Sequence, residues 1–132
     1  MGGKNPCVIL EDADLDLAVE ALVGGAFGAT GQRCTAMSRA LVVDGIADKF
    51  LDKLLTRTAQ LRVGSGLDEN TFLGPCVSEG QMKSVLEYVE IGRGEGAKLL
   101  YGGARLTDGE YARGCFVAPA IFDAVRRDMR IA

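Results

Sequence analysis

The pattern of apolar and polar positions divides the first third of the chain into a strand, a helix and a second strand. Residues 7–10 and residues 40–43 are apolar without alternation, which is typical of strands covered on both faces of a parallel sheet. Between them, apolar residues recur at helical spacing from Leu15 to Phe27. This order predicts two parallel strands joined by a helical crossover.

Local signals predict where this first helix begins and ends. Asp12 or Asp14 would cap its N-terminus, because a short carboxylate side chain can accept hydrogen bonds from the first free backbone amides. The helix is expected to fail between Gly28 and Gly31. The chain therefore changes direction just after residue 27.

Two more helices are predicted downstream. An apolar stripe over residues 50–61 predicts a helix that Gly64 or Gly66 would stop. Ser78 and Gln81 have the spacing of a capping box and precede a third helix. Residues 63–77 between these helices are rich in turn formers and predict an irregular connection within one domain.

Further strands are predicted at residues 97–101 and 115–122. The second of these contains Pro119, which indicates an edge strand or a bulge. Together the elements predict an α/β fold with an open, mostly parallel sheet flanked by helices.

Composition narrows the classes of partner. The 132 residues fit one domain, and a hydrophobic share of 48% is enough to bury a core. A net charge of −3 provides no basic field, so no nucleic-acid partner is expected. The apolar runs fall far short of the roughly 20 residues of a membrane span, and no signal-peptide layout is present, so we expect no membrane partner and a cytoplasmic location.

The cysteines favour free thiols. Cys7, Cys34, Cys76 and Cys115 are scattered without Cys-x-x-Cys spacing, and the chain contains no histidine. These features disfavour a disulfide framework, a zinc site and a Cys-His catalytic pair within the chain. No metal site is therefore expected.

Cys34 is the candidate reactive thiol. It lies between Arg33 and Thr35, directly after glycines at positions 28 and 31. Reactivity requires the thiolate, for which Arg33 is a candidate cation, and the amide of Cys34 could donate to an oxyanion. The alternative is that Cys34 is a small buried hydrophobic residue.

Several motifs resemble those of the aldehyde dehydrogenase family. Residues 31–35, Gly-Gln-Arg-Cys-Thr, resemble the family's Gly-Gln-x-Cys nucleophile motif, and residues 1–6 resemble the end of its Glu-Leu-Gly-Gly-Lys motif. Residues 73–75 and 95–103 are also similar to the family's catalytic domain. Within the family, residues 32–36 and 98–108 are most similar to the group that oxidises α-ketoglutaric semialdehyde (2,5-dioxopentanoate).

The resemblance implies an aldehyde dehydrogenase catalytic-domain fold and a defined chemistry. Cys34 would attack an aldehyde, giving a thiohemiacetal that passes hydride to NAD or NADP and a thioester that is hydrolysed to the acid. Arg33 and Thr35 would line the substrate mouth, where Arg33 could bind the carboxylate of an acidic aldehyde. For Arg33, a surface salt bridge or a purely conformational role is the alternative. A homo-oligomer is also expected.

The family's motifs also set expectations about missing parts. The glutamate that activates the hydrolytic water stands in the family immediately before the leucine position, which Met1 occupies here. We expect this base, the NAD(P)-binding domain and the cofactor-binding residues to lie outside residues 1–132, which would then be a partial catalytic domain unable to turn over alone. The competing hypothesis is a non-catalytic truncated module that self-associates through exposed apolar surface.

Overall fold

The predicted strand, helix and strand are present in the computed structural model, which describes residues 2–132. Strand β1 spans Asn5–Ile9, helix α1 spans Leu15–Phe27, and strand β2 spans Met37–Val42. The two strands pair in parallel. They belong to the first of two compact units, Met1–Arg62 and Val63–Ala132.

The ends of α1 follow from its flanking residues. Asp14 is the N-cap, and its Oδ1 accepts hydrogen bonds from the backbone amides of Asp16 and Leu17 at 3.0 and 3.1 Å. The helix ends at Phe27 and passes into a 3₁₀ turn at Gly28–Gly31. The predicted cap and the predicted end are both confirmed.

The parallel ladder is regular except at its start. From Pro6 to Ile9 each residue of β1 pairs with the residues from Arg39 to Val42 in turn, but the register shifts between Asn5 and Pro6. Pro6 has no N–H to donate to the ladder, which is a common reason for such an irregularity. Other hydrogen bonds therefore hold the N-terminal end of the strand pair.

The second helix of this unit completes its core. Helix α2 spans Asp44–Ala59, and α1 and α2 contact both each other and β2, which places them on one face of the strand pair. The side chains buried there come from β1, α1 and α2: Ile9, Val19, Leu22, Val23, Phe50, Leu54 and Thr58.

Two predictions for this unit are wrong. Helix α2 ends at Ala59, with Gln60 as its C-cap, and not at the glycines 64 or 66. The reason is that the backbone beyond the cap forms an extended bridge between Val63 and Leu73. The strands are also covered on one face only, since Val8 on the opposite face is 62% exposed and Leu41 is 51% exposed.

The second unit is built on one helix and an antiparallel pair. Helix α3 spans Glu79–Gly94, and the Oγ of its N-cap, Ser78, accepts from the amide of Gln81 at 3.1 Å, as the capping box predicted. Strands β3 (Lys98–Tyr101) and β4 (Ile121–Asp123) run antiparallel. The predicted strand at residues 115–118 is wrong, because only Val117 makes an isolated bridge.

The core of the second unit includes a sulfur-rich cluster. Cys76, Met82 and Val117 are buried together, and Cys115 packs against them. The expected α/β class, with a parallel sheet and helices, is confirmed, and the second strand pair adds an antiparallel element. None of the helices described for residues 2–132 combines the length and apolarity that a membrane crossing requires.

Candidate active site

Three consecutive residues after α1 adopt left-handed backbone conformations. The φ angles are 52° at Ala29, 58° at Thr30 and 66° at Gly31. Left-handed geometry costs roughly 1–2 kcal/mol per residue that is not glycine, and a β-branched residue such as Thr30 is a pronounced outlier there. Strain of this kind clusters at functional sites, so the segment that follows is a candidate.

A tight turn presents Cys34 directly after this strained segment. The backbone amide of Gln32 donates to the carbonyl of Ala29 at 3.0 Å, and that of Ala36 donates to the carbonyl of Arg33 at 3.1 Å. Cys34 therefore occupies the second position of a four-residue turn, and its side chain is exposed. The alternative of a buried structural cysteine is wrong for this residue.

The turn also orients the amide of Cys34. The carbonyl of Arg33 and the N–H of Cys34 belong to one trans peptide unit, so they point in opposite directions. Because that carbonyl accepts from Ala36 inside the turn, the Cys34 N–H points away from the turn. A donor beside the sulfur is the arrangement that an oxyanion on an attacked carbonyl needs.

Asn5, which the sequence did not single out, ties this turn to β1. Its Nδ2 donates to the carbonyls of Cys34 at 2.8 Å and of Ala36 at 3.0 Å. These contacts span 29 and 31 residues of sequence, so no local pattern could have predicted them. Its signal in the sequence was its place within residues 1–6, which resemble the end of the Glu-Leu-Gly-Gly-Lys motif.

Arg33 folds back on the helix instead of reaching along the turn. Its Nη2 donates to the carbonyl of Gly24 at 3.1 Å, in the last turn of α1, where a cation is favourable. A Cβ on Gly28 would lie 3.0 Å from the same nitrogen, so glycine leaves room for the guanidinium. One nitrogen of the Arg33 guanidinium is therefore bound to the backbone of α1. Thr35, the other predicted substrate residue, is exposed.

The other cysteines lie in different surroundings. Cys7 and Cys115 are half-buried and Cys76 is buried, so Cys34 is the exposed thiol of the four. Burial raises the pKa of the Cys76 thiol, and the neighbouring Cys115 raises the same pKa further. Cys76 is therefore a poor nucleophile in the folded chain.

In the described part of the chain, Cys34 is not hydrogen-bonded to a group that could act as a general base. Among residues 2–132, no carboxylate is hydrogen-bonded to Cys34, and the chain has no histidine. In the same part of the chain, no cluster of cysteines and carboxylates is placed to hold a metal ion. Met1, which aligns with the leucine of the family motif, lies outside the described residues.

The groove between α1 and α2 differs in character from a dinucleotide site. A groove of about 380 Å³ lies between α1 and α2, where Arg57 pairs with Glu20 at 2.6 Å and Lys53 pairs with Asp16. Its lining consists of charged, polar and aliphatic side chains of two helix bodies, which do not form the glycine-rich cradle that a pyrophosphate needs. The residues of this groove therefore do not fit an NAD or NADP site.

Comparison with known proteins assigns the chain to a family. Residues 1–132 match the sequence profile described as "Aldehyde dehydrogenase family". Over all 132 residues the chain is 49% identical to the α-ketoglutaric semialdehyde dehydrogenase of Bacillus subtilis (strain 168), of which it covers 27%.

Solved structures agree with this match. An NAD-dependent aldehyde dehydrogenase from Sinorhizobium meliloti superposes with a TM-score of 0.94 at 37% identity, over 99% of this chain and 25% of that one. A betaine aldehyde dehydrogenase from Staphylococcus aureus, solved in complex with NAD+, gives 0.93 at 39% identity, over 99% and 26%. The chain spans about a quarter of the length of these relatives, and the resemblance that the motifs predicted is confirmed.

Proposed function

The chain belongs to the aldehyde dehydrogenase family, and from that premise we propose that it supplies the nucleophile of an NAD(P)+-dependent aldehyde dehydrogenase. The observation that carries this proposal is the exposed Cys34, held in a defined turn directly after three left-handed residues. The reaction would oxidise a small-molecule aldehyde to a carboxylic acid.

The first step follows from the geometry of the turn. The Cys34 thiolate attacks the aldehyde carbon, a C–S bond forms, and the π electron pair of the carbonyl moves onto oxygen. The Cys34 N–H, which points away from the turn, donates to that oxyanion. Protonation of the oxyanion completes a thiohemiacetal on Cys34.

The later steps need groups that the described residues do not supply. A bound NAD(P)+ supplies the acceptor for the hydride of the adduct, and a general base is needed for the water that hydrolyses the resulting thioester. We therefore propose that residues 1–132 by themselves form the adduct without completing turnover. The other parts of the longer relatives would provide the cofactor site and the base.

The substrate class rests on a relative and on one side chain. The Bacillus subtilis relative is named for α-ketoglutaric semialdehyde, an aldehyde that carries a carboxylate. Arg33 uses Nη2 on Gly24, but a guanidinium has further N–H donors that can bind a carboxylate. We propose a carboxylate-bearing aldehyde, with Arg33 and Thr35 at the mouth of the site.

A labelled aldehyde tests the nucleophile. The chain is mixed with α-ketoglutaric semialdehyde carrying ¹³C at its aldehyde carbon, and the tetrahedral adduct is followed by NMR. The adduct should be lost in Cys34→Ser and retained in Cys7→Ser, a matched change at a half-buried thiol. An undiminished adduct in Cys34→Ser would refute the proposal. Reduction of NAD(P)+ by residues 1–132 alone would refute the claim that they cannot turn over.

Self-association is a second candidate role, favoured by the outer face of the strand pair. Val8 and Leu41, which pair with each other, are exposed there, and such adjoining apolar side chains favour association. Size-exclusion chromatography over a range of concentrations should show an oligomer that Val8→Lys with Leu41→Lys dissociates. A wild-type chain that stays monomeric at every concentration would eliminate this role.

A further inference from the structure

We propose that Asn5 is a positioning residue for Cys34, and that its carboxamide holds the thiol turn in the conformation that addition to an aldehyde requires. The proposal rests on the proposed function of Cys34 as the nucleophile. It concerns a side chain on β1 that does not itself touch the aldehyde and acts through the backbone of another segment.

The orientation of the Asn5 carboxamide is fixed by its partners. Both partners are carbonyl oxygens, those of Cys34 and Ala36, so only the NH₂ group can face them. At 2.8 and 3.0 Å, both amide hydrogens are used in bonds of ordinary length. One side chain therefore fixes two peptide units, the one that follows Cys34 inside the turn and the one that joins Ala36 to Met37 at its end.

These two bonds complement the bond inside the turn. The Ala36 amide holds the carbonyl of Arg33, which directs the Cys34 N–H outward. Asn5 holds the next carbonyl, that of Cys34 itself, so the peptide units before and after the nucleophile are both fixed. Without Asn5, the second unit could rotate and open the turn, and the Cys34 N–H would then no longer be directed outward.

The carboxamide is itself held by packing against Gly3. A Cβ at position 3 would lie 2.9 Å from Oδ1 of Asn5, 3.1 Å from Nδ2 and 3.2 Å from the carbonyl oxygen of Cys34. Any side chain at this position would therefore push the carboxamide and the turn apart. By contrast, a Cβ on the adjacent Gly2 would meet no atom within 4 Å.

The sheet leaves Asn5 available for this role. The ladder register shifts between Asn5 and Pro6, so regular pairing begins only after Asn5. A reciprocal bond closes the same end of the strands, because the Arg39 guanidinium on β2 donates through Nε to the carbonyl of Lys4 at 3.1 Å and also through Nη2. Each strand therefore contributes a side chain that binds the segment preceding the other strand.

A positioning role predicts that the loss of Asn5 will affect two reactions of the Cys34 sulfur to different extents. Alkylation by iodoacetamide needs the thiolate but no oxyanion donor. Addition to an aldehyde needs the thiolate and the correctly placed N–H. A loss of position should therefore weaken aldehyde addition much more than alkylation, whereas a loss of folding or exposure would change both reactions together.

The experiment compares these reactions at Cys34 in Asn5→Ala, using ¹³C-labelled α-ketoglutaric semialdehyde and site-resolved mass spectrometry after iodoacetamide. We expect the adduct association constant to fall by about tenfold or more. The alkylation rate should stay within about threefold of the wild type, because the thiol keeps its exposure. Asn70→Ala is the matched control, since the Asn70 side chain bonds its local neighbour Asp68 and its loss should change neither reaction.

Gly3→Ala provides a second variant in case Asn5→Ala does not fold. It should lower the adduct constant in the same direction, while Gly2→Ala leaves it unchanged. Equal losses in both reactions, or no loss in either one, would overturn the positioning role.

Failure of the proposed function is recognised separately. If the adduct persists in Cys34→Ser, Cys34 is not the nucleophile, and the proposal about aldehyde chemistry falls with it. Hydrogen exchange of the Ala36 amide then tests the structural part alone. Faster exchange in Asn5→Ala would support the hold on the turn, and unchanged exchange would overturn it.

Discussion

Two thiols, one in each compact unit, show how differently one fold can treat the same side chain. Cys34, in Met1–Arg62, is exposed on a turn that follows three left-handed residues and is held by hydrogen bonds. Cys76, in Val63–Ala132, is 7% exposed among Met82 and Val117, and burial raises its pKa.

This difference means that the reaction of one thiol depends on the stability of the fold and that of the other does not. Cys34 needs no opening of the fold to react, because the residue is already exposed. Cys76 reacts only when its apolar cluster opens, so its rate should report the stability of its own unit. Changes in stability should therefore alter the reaction of Cys76 and leave that of Cys34 unchanged.

The largest expected effect comes from Gly102→Ala in the second unit. Gly102 has a φ of 60°, and a Cβ there would lie 1.9 Å from the carbonyl oxygen of Pro119. We expect a destabilisation of about 3 kcal/mol from strain and overpacking. Since each 1.4 kcal/mol is tenfold, alkylation of Cys76 should accelerate by about a hundredfold, as measured by site-resolved mass spectrometry.

The control for this change is Gly94→Ala. A Cβ on Gly94 would meet no atom within 4 Å, and the residue ends α3. Its effect on stability should stay below about 1 kcal/mol in either direction, with little change at Cys76. If Cys76 were alkylated equally fast in Gly102→Ala and in the wild type, the inference that its cluster shields it would be wrong.

A smaller effect is expected from Thr58→Val in the first unit. Thr58 is 0% exposed, and its Oγ1 has no hydrogen-bond partner within the described part of the chain. Replacing this buried hydroxyl by a methyl group should stabilise the unit by about 1 kcal/mol, as judged by urea denaturation. Alkylation of Cys34 should not change, because that reaction does not depend on opening.

Thr56→Val is the matched control on the same helix. The Thr56 hydroxyl is exposed and donates to the carbonyl of Asp52 at 2.9 Å, so its removal brings no gain in stability. A gain equal to that of Thr58→Val would contradict the assigned cause. Slower alkylation of Cys34 in Thr58→Val would contradict the contrast between the two thiols.

The smallest expected effect is the pH dependence of the second unit. Burial, followed by the neighbouring Cys115, raises the pKa of Cys76 above its ordinary value of 9.0. The folded unit then keeps a proton that the unfolded chain has lost, so the free energy of unfolding falls as pH rises above 9.0. Below that pH the contribution is fully present.

Urea denaturation across this alkaline range measures the slope. Cys76→Ala should flatten it, whereas Met82→Leu, which changes the same cluster without removing a titratable group, should shift stability and keep the slope. An equal slope in Cys76→Ala and the wild type would show that another group is responsible.

Features decided within a few residues could be predicted from the sequence. Asp14 and Ser78 cap their helices because donor and acceptor lie within three positions of each other, so the spacing alone identifies them. The turn after Phe27 was marked by glycines, and the motif around Cys34 identified the family. These features do not depend on how distant segments pack.

Features decided by distant contacts could not be predicted in this way. The hold of Asn5 on Cys34 depends on β1 and β2 pairing in parallel, which brings together residues 29 positions apart. The left-handed Thr30 contradicts the preference of a β-branched residue, and tertiary structure overrides that preference. The faces of the strands were misjudged because apolar residues such as Val8 do not reveal whether a second layer covers them.

The left-handed Ala29 affects how the chain would respond to laboratory evolution. Glycine at position 29 would relieve about 1–2 kcal/mol of conformational strain against a loss of about 0.5–1 kcal/mol of chain entropy. A screen for heat resistance alone should therefore enrich glycine at position 29, while a screen for aldehyde chemistry should retain the stiffer alanine. Variants selected for heat resistance would then be more stable and would add to aldehydes more slowly.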